Sequence, residues 1–199
     1  MNNKEALEQI KHIRAMMEKA YEQIIFSPWQ WIEWGILVII GCLATMWLAS
    51  HQQTSHLLLL WILIFIIGGA LETLIWMKTA EKRGIEPFNP FVMKIWGIAG
   101  ILMMQAIILS IVFGHLQMYQ LIPGLWMTSL SGLFFILVIM GAKTEILMFA
   151  IVLAIGGILS LSILVNYSLI LLMICFGVSC IAFGTYSVLN KRTMTIKSR

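Results

Sequence analysis

Aspartate is absent from this chain, and all nine acidic residues among its 199 are glutamate. Charge of either sign is scarce. Lys, Arg and Glu together make up 11% of the residues, against about 25% in a soluble globular domain. Membrane enzymes that hold Mg²⁺ and a diphosphate gather several carboxylates in one place, and here only Glu72 lies well inside an apolar run. No H-E-x-x-H, G-x-S-x-G or Walker-type glycine loop occurs, which removes the zinc protease, α/β-hydrolase and P-loop classes. No serine stands near a membrane-embedded histidine, and the usual Asp that orients a catalytic triad is missing. The expectation is a non-enzyme without a cofactor. Cysteine is also rare: Cys42, Cys175 and Cys180 all fall inside apolar runs and read as small buried hydrophobes rather than a disulfide framework.

What the chain does have is apolar length. Hydrophobic residues make up 60% of it. A bilayer core about 30 Å thick takes about 20 apolar helical residues to cross. Six runs meet that requirement, at 31–49, 57–77, 92–114, 121–141, 146–165 and 168–189. Pro28, Pro90 and Pro123 stand at first turns, where a missing N–H costs nothing. Ser27 and Asn89 are suited to cap two of these starts.

The basic residues give a direction. All thirteen Lys and Arg lie before the first run, between runs two and three, between runs four and five, or after the sixth, counting Lys94 with the second connection. The three alternate connections hold none. Since cytoplasmic loops collect Lys and Arg, both termini are expected inside, and the net charge of +4 is a topology signal rather than a nucleic-acid one. The eight tryptophans fall near run ends and suggest two interfacial belts. A cleaved signal peptide is not expected, because the first apolar run starts late and is too long. The fold class is therefore all-α. A cytoplasmic amphipathic helix over residues 1–27 precedes a six-transmembrane-helix bundle over 28–190, and a basic cytoplasmic tail over 191–199 follows it.

Residues 3–26 carry the amphipathic pattern. Ala6, Ile10, Ile13, Met17, Ala20 and Ile24 follow one another at spacings of 4, 3, 4, 3 and 4, a heptad seam. A helix that lies on anionic lipid is rich in Lys and Arg on its polar face. Here four basic residues are matched by four Glu, which favours a protein partner or a second copy as the contact of those six residues. The stretch KEALEQIKHIRAMMEK, Lys4 to Lys19, resembles the opening of small multi-pass bacterial membrane proteins of unknown function. That resemblance implies a bacterial inner (plasma) membrane setting and supplies no activity.

Glu72 in GGALETLIW is the deepest charge. Burying it ionised at mid-span costs about 2.5–3.5 kcal/mol on the milder scale. It therefore reads as an ion or proton site, or as one end of an interhelical hydrogen bond, with Lys94, the Trp96 N–H and Lys143 as candidate partners. Gly68 and Gly69 beside it would admit a close helix. Gln105 stands near the middle of the third run, as helix–helix glue or as a second site residue. Ser160, Ser162 and Asn166 follow one side of the fifth run, and the small-residue pairs Thr128/Gly132, Gly156/Ser160 and Gly177/Gly184 suggest close packing. His51, His56 and His115 face outward and are candidate metal ligands, or simply polar residues of uncharged turns. The Gly-containing stretches at 68–74, 140–147 and 183–189 share a faint pattern at unequal intervals, which reads as chance.

Two functions remain. One is a non-catalytic accessory or regulatory subunit that engages a partner through residues 3–26. The other is a small transporter or channel for an ion, proton or small solute built around Glu72. An outer-face metal site is a third and weaker possibility.

Overall fold

A computed structural model describes the backbone of residues 27–53, 56–83, 90–139 and 144–197, with side chains for 27–53, 56–82, 93–139 and 145–189. Among these residues every regular element is helical. The helices are α1 (Pro28–Ser50), α2 (Leu57–Arg83), α3 (Pro90–His115), α4 (Ile122–Ile139) and α5 (Thr144–Leu161). The last helix starts as α6 (Ser168–Leu172), passes through a π-helical segment (Met173–Val178) and continues as α7 (Ser179–Lys197). The amphipathic stretch 3–26, with Ala6, Ile10, Ile13, Met17, Ala20 and Ile24, lies outside the described residues.

Five stretches are long and apolar enough to cross a membrane: Pro28–Ser50, Leu57–Lys82, Met93–His115, Tyr119–Ile139 and Val165–Leu189. The fifth expected span, 146–165, is shorter than the sequence suggests. Its apolar helix is Glu145–Leu161, about 25 Å at 1.5 Å per residue, and the chain leaves the helix as the Leu164 N–H closes onto the Leu159 carbonyl at 2.8 Å. At the other end of the chain, α7 runs past the expected limit at 189 and stays helical to Lys197.

Local signals account for the first helix. The Ser27 backbone N–H donates to Gln30 Oε1 at 2.6 Å, and Pro28 opens the first turn, so the start is satisfied as its sequence suggests. One face of α1 then enters the core. Trp31 stacks on Phe134 of α4 and meets Phe149 of α5 and Phe183 of α7 edge-on, with ring centroids 4.9–5.4 Å apart. Met127, Leu137, Leu153, Cys42 and Cys180 are fully buried. The α1 helix comes close to the last helix where a Cβ on Gly35 would sit 2.7 Å from the Gly177 carbonyl, and one on Gly184 2.7 Å from the Pro28 carbonyl. Gly156 and Gly157 are filled against Cys175 and Thr128 in the same way, whereas Gly132 faces open space.

The outer surface is as apolar as the core. Leu58, Ile66, Ile101, Met148 and Ile158 are each at least 61% exposed. Large contiguous apolar surface is a liability in water and is the ordinary exterior of a helix bundle in lipid.

α1–α2 and α3–α4 are hairpins built to one plan. Each first helix is followed, two residues past its end, by a glutamine with left-handed backbone, Gln52 and Gln117, both at φ 58°. In each the next N–H reaches back five residues, Gln53 to Leu48 O at 2.9 Å and Met118 to Phe113 O at 2.8 Å, the C-terminal closure usually given to glycine. In each an indole early in the second helix donates to a hydroxyl late in the first. Trp61 Nε1 donates to Thr45 Oγ1 at 3.1 Å, and Trp126 Nε1 to Ser110 Oγ at 3.0 Å. These matched positions are all 65 residues apart, and at the same offset Trp31 meets Trp96, Gly35-Ile36-Leu37 meets Gly100-Ile101-Leu102, and Lys78-Thr79 meets Lys143-Thr144. The repeat is therefore in register at 65 residues, not at the intervals of the glycine stretches.

The hairpins also give several tryptophans a packing role. Trp29, Trp47 and Trp96 are exposed and suit an interfacial belt, but Trp31 is buried, and Trp34, Trp61 and Trp126 are interhelical donors.

Candidate functional site

Glu72 finds its partner on α1. The Trp34 indole N–H donates to Glu72 Oε2 at 3.1 Å. The partners expected from sequence lie elsewhere: Lys94 and Trp96 are exposed on α3, and the Lys143 side chain is outside those described. The reason is packing order, since α2 lies along α1 while α3 lies along α4. Gly68 makes the contact possible. A Cβ there would meet the Trp34 ring at 2.8 Å and Leu37 at 3.1 Å, so the indole lies in the space a side chain would fill. Gly69 has no such role, because nothing lies within 4 Å of its Cβ position.

The register brings a second carboxyl to the same level. Leu37 and Gly68 face each other across the antiparallel pair. One turn from Leu37 toward the start of α1 is Glu33, and one turn from Gly68 toward the end of α2 is Glu72. The two carboxyls are within electrostatic reach of each other. Both Glu33 oxygens are shielded from the surface and have no hydrogen-bond partner among the described residues. A buried polar group without a partner is costly, and a charged one more so. Glu33 lies five residues into α1, about 8 Å along its axis. Its sequence position hides it, because near the start of an apolar run a charge passes for an interfacial one. The signal available is that Glu33 falls inside the first apolar run, 31–49, and not before it.

The other candidate residues do not join this pair. Gln105 is exposed on α3 and makes no hydrogen bond to the described residues. The hydroxyls of Thr45 and Ser110 are engaged elsewhere, Thr45 with Trp61 and Ser110 with Trp126. Ser160 is fully buried while Ser162 and Asn166 are not, so the three do not line one path. His51 is held against Trp47, with Nδ1 2.9 Å from the Trp47 carbonyl. No three His, Cys or Glu side chains come together in a metal-holding group among the described residues, so His51, His56 and His115 do not meet. Cys42, Cys175 and Cys180 are free thiols, two of them buried.

What the arrangement can do follows from its donors. A proton needs one acceptor pair. A hard cation such as Ca²⁺ or Mg²⁺ takes six or more oxygens, and the described residues offer two carboxyl groups with an indole that only donates. The fold and site thus define a protein whose described residues are helical, with five helices long and apolar enough to cross a membrane, and with two carboxyls, Glu33 and Glu72, at one level of its first two helices. No family model, curated protein or solved structure matches the chain.

Proposed function

We propose that this chain is a small multi-pass membrane protein that takes up and passes on a proton at Glu33 and Glu72, as a proton-conducting or proton-coupled transporter. The observation that carries this reading is Glu33, a carboxyl with both oxygens shielded and unpartnered at the level where the helix register places a second carboxyl, Glu72. Intramembrane carboxyls of this kind mark proton relays. A proton on either carboxyl relieves the cost of holding both charges in apolar surroundings, and Trp34 keeps Glu72 pointed at α1. The repeat supports a functional origin. At the 65-residue offset Glu33 and Glu72 become Ile98 and Leu137, so the hairpin plan does not require carboxyls there.

The proposed setting is a bacterial inner membrane crossed six times, with α5 as the short fifth span and both termini cytoplasmic. It rests on the Lys and Arg distribution, since the turns 51–56, 116–121 and 162–167 contain neither residue. The carboxyl pair then lies toward the cytoplasmic end of the bundle. The heptad pattern of residues 3–26 favours an added role as a partner-binding or self-binding segment. A pull-down from native membranes with and without residues 1–25 tests that role, and identical captures would remove it.

The proton reading is tested in vesicles holding the full chain and a pH-reporting dye, with a potassium gradient and valinomycin driving uptake. Wild type is expected to acidify the lumen. Glu33→Gln and Glu72→Gln should each cut the rate at least tenfold, although the amide carbonyl introduced at position 72 still accepts from Trp34 and keeps the hairpin tied. No uptake by wild type, or unchanged uptake by both variants, would sink the idea.

A further inference from the structure

Gln105 poses a separate problem. It stands near the middle of the Met93–His115 span, exposed on the flank of α3, about 100° around the helix from the buried Ile95, Ala99 and Ala106. Lipid chains offer an amide nothing to bond to, and an unmet polar group in hydrocarbon is costly. At the 65-residue offset the matching position in α1 is Ile40, which is 53% exposed. The hairpin plan therefore accepts an aliphatic, lipid-facing residue there, and the amide is not needed to build α3.

Around Gln105 runs an exposed seam of Gly97, Ile101, Ile108 and Val112, at intervals of 4, 4, 3 and 4 with the glutamine included, which keeps all five on one side of a helix. A Cβ on Gly97 would meet nothing within 4 Å, so the backbone is open there to a close neighbour from outside. Within the fold α3 packs mainly on α4, and this seam is free among the described residues.

We propose that the protein forms a two-fold homodimer through this face of α3, with Gln105 hydrogen-bonded to its own copy. A carboxamide is both donor and acceptor, so two of them satisfy each other. A two-fold axis along the membrane normal puts a residue and its copy at the same depth, whereas a different protein would need a polar residue matched to that level. This inference is independent of the proton site.

The test uses the full chain in vesicles, with single-molecule photobleaching of a C-terminal fluorescent fusion over a range of lipid dilutions. Wild type should bleach in two steps. Gln105→Leu should raise the dimer dissociation constant about 3- to 30-fold, the range of interhelical hydrogen bonds in bilayers. Gly97→Leu, which has free space within its own subunit, should do the same or more. In native membranes, oxidation of Ile108→Cys should give a homodimer band while Leu74→Cys, exposed on α2, gives none. The proposal is overturned by one-step bleaching of wild type at all dilutions, or by a dissociation constant that moves less than twofold in both variants. It is equally overturned by equal bands from both cysteines, or by an Ile108→Cys band that contains only another protein.

Discussion

Where α1 carries Glu33 and Trp34, α3 carries Ile98 and Ala99; where α2 carries Gly68 and Glu72, α4 carries Leu133 and Leu137. The turn, the indole ties and the start of the second helix agree between the hairpins. The difference in buried carboxyls falls at one level near the end opposite the turn. There the second hairpin is filled by aliphatic packing, with Leu137 only 2% exposed in the core. The first hairpin instead replaces a large side chain by glycine, lays an indole in the gap and sets a carboxyl on each side of it. One plan thus serves two ends: α3–α4 contributes to the core through α4, and α1–α2 leaves α2 at the edge, where a polar pair disturbs little else.

Exchanging the two chemistries should break the comparison hardest. Leu137→Glu puts a carboxyl at the position matching Glu72, but Ala99 stands where Trp34 would donate to it. The group would enter the core without a partner, at a cost of about 3 kcal/mol or more. Unfolding of purified protein in mixed detergent measures this. A loss below about 1 kcal/mol would mean that the two levels do not differ in their tolerance of charge.

A middle-sized effect comes from Gly68. Gly68→Leu installs the residue that α4 has at the matching position, Leu133. Its Cβ would press on the Trp34 ring at 2.8 Å, so the indole must move and the Glu72 bond must lengthen. The expected cost is about 2 kcal/mol, as for overpacking in general, together with a shift in Trp34 fluorescence. Gly69→Ala, one position on, meets nothing within 4 Å and should be neutral or gain up to about 1 kcal/mol from helix propensity. Equal effects at the two glycines would mean that the close approach of α1 to Gly68 does not hold the pair.

Much of this fold is legible in the sequence. Apolar length marks the helices, proline and serine mark the start of α1, and Glu72 stands out because mid-span charge is rare. What escapes depends on which helix lies beside which. Lys94, Trp96 and Lys143 suit Glu72 by depth alone, and depth says nothing of neighbours; α2 packs on α1, so the partner is Trp34. The repeat escapes a comparison of glycines, because glycines such as Gly68 serve local contacts that differ between hairpins. The matched features are a left-handed glutamine and an indole–hydroxyl pair, which become recognisable as a unit only once the turn geometry is seen. Glutamine gives no hint of positive φ by itself, and tryptophan near a span end suits a headgroup belt as readily as a hydrogen bond.

The smallest predicted effect tests the plan most closely. Thr45 and Ser110 both accept an indole N–H from 16 residues onward. Single replacements there will not agree. Trp126 also lies against Phe65 of α2, with ring centroids 4.9 Å apart, while Trp61 covers Gly41, whose Cβ would sit 3.1 Å from its ring. Trp126→Phe and Trp61→Phe therefore lose different packing. Double-mutant cycles cancel those terms and leave the pairwise bond. Trp61→Phe with Thr45→Val, and Trp126→Phe with Ser110→Ala, should each give a coupling of about 0.6 kcal/mol, typical of hydrogen bonds between membrane helices, and the two should match within about 0.3 kcal/mol. A coupling near zero in one hairpin only would show that the shared geometry is not a shared energy. The tie would then be a structural bond in one hairpin and an accident of packing in the other.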